Sequence, residues 1–149
     1  MFNENLKLSG QLAIVLRDKD GNVKEERTEK NLVVTTGLNY IASRMKDATA
    51  TAMTHMALGS GTTAAAAGQT DLVTLLGSRE ALDSTTVTAN AVAYVSSFEA
   101  GDATGAVTEA GIFNAATSGT MLCRVKFDVV NKAADDTMTV TWTITLAAS

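Results

Sequence analysis

The chain has 149 residues, with 12 Lys and Arg against 16 Asp and Glu for a net charge of −4; charged residues make up only 19% and hydrophobic ones 46%. One domain of about this length can bury its own core, and the apolar share is too high for a disordered chain. The acidic balance excludes the basic stripe of a nucleic-acid or anionic-membrane binder. A single Cys rules out an internal disulfide framework and fits synthesis in a reducing compartment, and one Cys with one His cannot build a usual zinc site.

The first residues, Met1 to Lys7, are polar and mixed in charge, without the apolar core and small-residue cleavage site of a secretion signal. Apolar runs such as Leu12 to Leu16 are far short of the twenty or so residues that a spanning helix requires, so a soluble protein is expected. Phe2, Leu6 and Leu8 are spaced through polar residues. Residues 1–9 are therefore either an N-terminal arm that orders on a neighbouring subunit, with those three side chains as its interface, or the first strand of the core.

Gly10 to Arg17 reads as a strand, Asp18-Lys19-Asp20-Gly21-Asn22 as a turn, and Val23 to Thr28 as the return, with Asn31 to Thr35 continuing extended. Asp18 and Asp20 before a Gly echo a calcium loop, but the third ligand and the terminal Glu are lacking, so turn chemistry is the better account. Thr36 is the expected cap of a helix whose Leu38, Ile41, Ala42 and Met45 form one apolar stripe, a lid on the core. Met56 to Gly59 suits a short strand and Gly59 to Gly68 a flexible low-complexity loop; Thr70 then caps a second short helix carrying Leu72, Leu75 and Leu76 and closed by Gly77.

Extended stretches are expected over 79–88 and 91–98, with a turn at Gly101 to Gly105 and a further strand entered at Gly111 to Asn114 and ending at Ser118-Gly119. Thr120 to Val130 alternates loosely and Thr137 to Leu146 strictly, threonines at odd positions against Met138, Val140, Trp142, Ile144 and Leu146. A strand sends successive side chains to opposite faces, so this last segment buries one face and presents hydroxyls on the other. The polar turn Asn131 to Asp136 between the two predicts a C-terminal hairpin. Cys123 falls on the apolar side of its strand and is expected to be an inert buried thiol. The sum is a mainly β chain, a single-domain β-sandwich of jelly-roll type over residues 1–149 with one or two short helices.

Chemistry is thin. Gly59-Ser60-Gly61 lacks both the Gly-Lys-Ser/Thr ending of a phosphate loop and the elbow of a hydrolase nucleophile. His55 has no motif around it, and Asp71, Glu80, Asp83, Glu99, Asp102 and Glu109 read as solvated surface carboxylates. These residues point to no enzyme, cofactor or catalytic set.

Three stretches carry a resemblance. They are Lys30-Asn31-Leu32-Val33-Val34-Thr35-Thr36-Gly37-Leu38-Asn39-Tyr40-Ile41-Ala42, then Met56-Ala57-Leu58-Gly59-Ser60-Gly61-Thr62-Thr63 with Thr70-Asp71-Leu72 and Arg79, and finally Thr108-Glu109-Ala110-Gly111-Ile112-Phe113-Asn114-Ala115 ahead of the Trp142 strand. In this order they resemble small structural proteins of tailed bacteriophages, over about Lys30 to Leu146. The resemblance implies a non-enzymatic virion protein, a capsid decoration or cement protein that binds the outside of the major capsid protein shell as a homo-oligomer (dimer or trimer) and stabilises it. Similar patterns occur in tail fibre and baseplate proteins, where the Gly59 to Gly68 loop would face a receptor or glycan. The chain has neither the length nor the repeats of a fibre shaft.

Overall fold

The computed structural model describes residues 5–46 and 50–148. It is mainly β, with strands β1 (Leu6–Arg17), β2 (Val23–Val33), β3 (His55–Gly59), β4 (Glu80–Ala81), β5 (Ser84–Thr88), β6 (Ala91–Phe98), β7 (Gly105–Phe113), β8 (Met121–Lys132) and β9 (Thr137–Ala148), and one helix, α1 (Thr35–Arg44). All pairings are antiparallel, in the order β4-β3-β7-β8-β2-β1-β9-β6-β5.

This sheet curls on itself at two corners. At the first, β2 lies along β1 from Val23 to Asn31 and then gives only Leu32 and Val33 to β8. At the second, the strands at the two ends of the order are consecutive in sequence: β4 pairs with β3, β5 pairs with β6, and only Leu82 and Asp83 separate them. A strand that changes partners at a bend is how a sheet turns a corner. The two halves thus face each other across one core. Leu12, Ile14, Met138, Val140 and Trp142 come from the β1–β9 half, and Met56, Leu58, Ile112, Val125 and Phe127 from the β3–β7–β8 half.

The strict alternation of Thr137 to Leu146 has its expected meaning. Met138, Val140, Trp142 and Ile144 are buried and the threonines between them are half-buried on the outer face. The expected hairpin does not form. β8 pairs with β7 and β2, whereas β9 pairs with β1 over twelve residues and with β6 on its other side. Alternation specifies which face a side chain takes and says nothing about the neighbouring strand. The turn at Ala133 to Asp136 instead carries the chain from one half to the other.

At the N-terminus, residues from Leu6 onward are strand rather than free arm: Leu6 lies opposite Ala148 and Leu8 opposite Leu146. Leu6 is 65% exposed, Leu8 packs partly on the core, and Phe2 lies outside the described residues.

Helix α1 forms where expected but is turned differently. Val34 occupies the cap position without a side-chain bond, while the Thr36 hydroxyl donates instead to the Met121 carbonyl at 2.9 Å. The inward positions are Gly37, Tyr40 and Ile41, whereas Leu38, Ala42 and Met45 face outward. Gly37 sets this rotation: a Cβ there would stand 2.0 Å from the Leu122 carbonyl oxygen. Only glycine lets the helix backbone approach β8 so closely.

No second helix forms over residues 70–77. The Val73 and Thr74 N–H groups donate to a carboxylate on β7, and the Leu76 N–H donates to the Leu58 carbonyl, so these donors never reach the carbonyls four residues back that a helix uses.

Candidate functional site

The outer faces of the two sheet halves differ. On the β6–β9–β1 half, small and hydroxyl-bearing residues stand partly in solvent. On the β3–β7–β8 half the segment Ser60 to Leu76 lies across the sheet, so Ala57, Glu109, Phe113, Met121 and Arg124 are buried beneath it and beside α1. A segment laid over a sheet brings backbone donors and acceptors out of water, and each requires a partner.

Glu109 and Arg124 supply those partners. They stand on adjacent strands, with Arg124 Nη2 2.7 Å and Nε 2.9 Å from Glu109 Oε2 and both side chains fully out of solvent. Glu109 Oε1 accepts from the backbone N–H groups of Gly61 (2.9 Å) and Thr74 (2.8 Å), and Oε2 accepts from Val73 (3.0 Å). Arg124 donates onward to the Thr63 carbonyl at 2.9 Å and to Gln69 Oε1 at 3.0 Å. The Thr108 hydroxyl closes the set on the Gly61 carbonyl at 2.8 Å. Burial by itself would raise the Glu109 carboxyl, but the Thr74 and Val73 N–H groups, Arg124 and Gly61 outweigh it and hold it below the ordinary carboxylate range.

Glycines make room for this arrangement. A Cβ at Gly59 would meet the Thr74 carbonyl at 2.4 Å, and one at Gly61 would meet Glu109 Oε1 at 2.4 Å. Arg79 completes the packing. Its guanidinium lies 3.5 Å from the Phe113 ring centroid, donates to the Ala115 carbonyl at 2.9 Å and the Ser118 carbonyl at 2.7 Å, and pairs with Asp71 at 3.4 Å.

Two expectations are corrected here. The Gly59 to Gly68 stretch is pinned rather than flexible, since Ser60, Gly61, Thr63, Ala64, Ala66 and Ala67 all take part in hydrogen bonds. Glu109 is no solvated carboxylate; of the six considered it alone is buried. Arg124 points away from the core cluster that Cys123 and Val125 enter, and the covering segment makes this outer face an interior.

The remaining candidates do not gather into one place. His55 is half-buried at the start of β3, with Nδ1 2.8 Å from the Thr54 hydroxyl. Cys123 is a free buried thiol facing the core, pushed up by burial and so kept from the reactive thiolate form. Asp18 spends its carboxylate on the Asp20 and Asn22 N–H groups and the Asn22 amide, which is turn chemistry. Among the described residues no group of three or more His, Cys, Asp or Glu is placed to hold a metal ion, and no helix is long and apolar enough to cross a membrane.

A surface depression of about 440 Å³ is lined by Lys7, Gln11, Lys30, Asn31, Thr143 and Thr145 among others, with no His, Cys or carboxylate among the described residues of its wall. Its wall offers lysine, amide and hydroxyl groups for polar contact. The Glu109 carboxylate has its acceptor positions occupied by five donors. It can hold the covering segment but has no position left for a substrate proton. No family model, curated protein or solved structure matches the chain.

Proposed function

We propose that this protein is a non-enzymatic structural component of a tailed-bacteriophage virion, a decoration protein that binds the exterior of the major capsid protein shell and stabilises it. The two facing sheet halves serve in this reading as a β-sandwich, jelly-roll-like in its curl. The protein is made in the host cytoplasm and works at the capsid exterior, with the shell and further copies of itself as partners and no nucleic acid or membrane.

One observation carries the reading. The separate stretches that resemble phage structural proteins are joined in space: Gly59 and Gly61, Asp71 and Leu72, Arg79, Glu109, Phe113 and Asn114 belong to one connected set of contacts around the pinned segment. Gly37, from the first stretch, seats α1 against β8 beside it. Residues spread over eighty positions therefore share one task, holding a covering segment rigidly on a sheet. Rigidity of a presented surface suits adhesion, because a pre-ordered face loses less entropy on binding. Many copies of a modest contact on one lattice add further strength when they are linked.

The test is to mix the purified protein with expanded empty phage shells. Co-sedimentation with the shells and a higher shell melting temperature are expected. A protein that stays in the supernatant and leaves shell melting unchanged would remove the proposal, and density confined to the tail in a whole-particle reconstruction would replace it with the tail-associated reading.

A further inference from the structure

We infer that β5 is a self-association edge, along which two copies of this chain pair antiparallel into one continuous sheet. Among the described residues the strand Ser84–Thr88 pairs only with β6 and ends the strand order, and every one of its residues is exposed. Its outer edge therefore presents a row of backbone donors and acceptors, a template for another strand.

The same molecule guards the stretch where two neighbouring strands part. Where β2 diverges from β8, Arg27 lies between them and donates to the Asp128 carbonyl at 2.9 Å and to the Val129 carbonyl at 3.5 Å. Glu25 and Glu29 flank that guanidinium, and Lys24 reaches Asp136 at 2.6 Å beside it. Charges on an edge strand block pairing with another chain. β5, Ser-Thr-Thr-Val-Thr, has no charge and no proline along its length.

Two further features fit a second copy as the occupant. Thr85 and Val87 stand on the core-facing side, in line with Tyr94 and Val92 of β6 and Trp142 and Ile144 of β9. Along that side Ile144 is buried, Val92 partly buried and Val87 69% exposed, so the apolar layer runs out uncovered at β5. A two-fold axis at Thr86 sets Thr85 of the second copy opposite Val87, sets Ser84 opposite Thr88, and brings the two Thr86 residues together. Every cross-strand pair is then small, β-branched or hydroxyl-bearing, and none joins like charges. The outward residues Ser84, Thr86 and Thr88 share a face with the β9 threonines, so pairing would double the hydroxyl face. A five-residue edge makes a small interface, hence a reversible, concentration-dependent dimer.

This names the surface for the self-association in the reading above. Its test contains no shell, so each can fail alone. Sedimentation velocity from dilute to concentrated protein should show a monomer–dimer equilibrium, with the Ser84 to Thr88 amides gaining protection from hydrogen exchange as the dimer fills. Thr86→Lys, at an exposed position, should weaken dimerisation about tenfold or more by opposing two ammonium groups. An equimolar mixture of Thr86→Lys and Thr86→Glu proteins should restore it. A monomer at every concentration overturns the inference, as does an oligomer unaffected by Thr86→Lys. Protection of this strand that arises only when shells are added also overturns it and assigns the edge to a different partner.

Discussion

The Glu109 carboxylate and the Arg124 guanidinium meet at 2.7 Å across β7 and β8, both fully out of solvent, and between them they bond to the backbone of a segment that neither strand contains. Removing one partner of a buried pair leaves an uncompensated charge. Arg124→Met is therefore expected to cost about 3–5 kcal/mol, read as a lower urea midpoint. The double variant Glu109→Leu with Arg124→Met should not recover that loss, although apolar replacement of a simple buried pair often does. The Gly61, Val73 and Thr74 N–H groups would still lose their acceptor, at about 1–3 kcal/mol for each one left unpaired.

Acid should find the same site. The carboxyl groups of Glu109 and Asp136 are both held below their ordinary range in the folded state, the latter chiefly by Lys24 and by the Ala133 N–H. An unfolded chain then binds protons at a higher pH than the folded one. Their stabilisation is complete above the unfolded carboxylate value of about 4 and is lost as pH falls through the lower folded values. Chemical unfolding measured between neutrality and pH 3 should show stability falling with acid, and Glu109→Gln should flatten part of that fall. An unchanged slope in the variant would show that Glu109 is not one of the linked groups.

How much of this was legible beforehand depends on what covers each strand. β9 announces itself because its two faces differ, threonines outside and Met138, Val140, Trp142 and Ile144 inside. β7 is buried on both faces from Val107 onward, so no alternation marks it, and the strand expected from Gly111 to Ser118-Gly119 coincides with it only over residues 111–113. Glu109 and Arg124 look like ordinary surface charges in sequence, since residues of these types are seldom fully buried. The covering segment that inverts their environment comes from some fifty residues away. The available signal was the small residues Ala57, Gly59, Gly61 and Gly111, which leave space over a sheet for a second layer of backbone. The false second helix had the right spacing of leucines; three carboxylate-directed or strand-directed N–H groups decided against it.

Trp142 stands at the centre of the core between Leu12 on β1 and Tyr94 on β6, with no exposed surface. Trp142→Ala is expected to cost about 3–5 kcal/mol through lost transfer energy and the cavity left behind. Val129→Ala, at a position 45% exposed on β8, should change stability by no more than about 0.5 kcal/mol. Thermal unfolding of the two variants beside the parent measures both.

Cys123 gives a reporter that needs no label elsewhere. It is buried, faces the core opposite Ile112, and its thiol is pushed well above its ordinary value by burial. A thiol reagent at neutral pH should react with the native protein only as fast as the core opens. In denaturant it should react at the rate of a free cysteine. Arg124→Met should speed the native reaction if loosening the covering segment loosens β8, on which both residues lie.

Gly37 and Gly68 separate steric need from composition. Both lie in stretches rich in small residues, and neither has a positive φ. A Cβ at Gly37 would fall 2.0 Å from the Leu122 carbonyl oxygen, a backbone atom of β8 that cannot swing aside, whereas one at Gly68 meets nothing within 4 Å. Gly37→Ala must therefore move α1 off β8, stretching the Thr36-to-Met121 bond and uncovering Tyr40 and Ile41. Overpacking of this kind costs about 1–3 kcal/mol. Gly68→Ala should be neutral or stabilising by up to about 1 kcal/mol, because it narrows only the unfolded ensemble. Equal effects for the two substitutions in urea unfolding would show that α1 is not seated by Gly37.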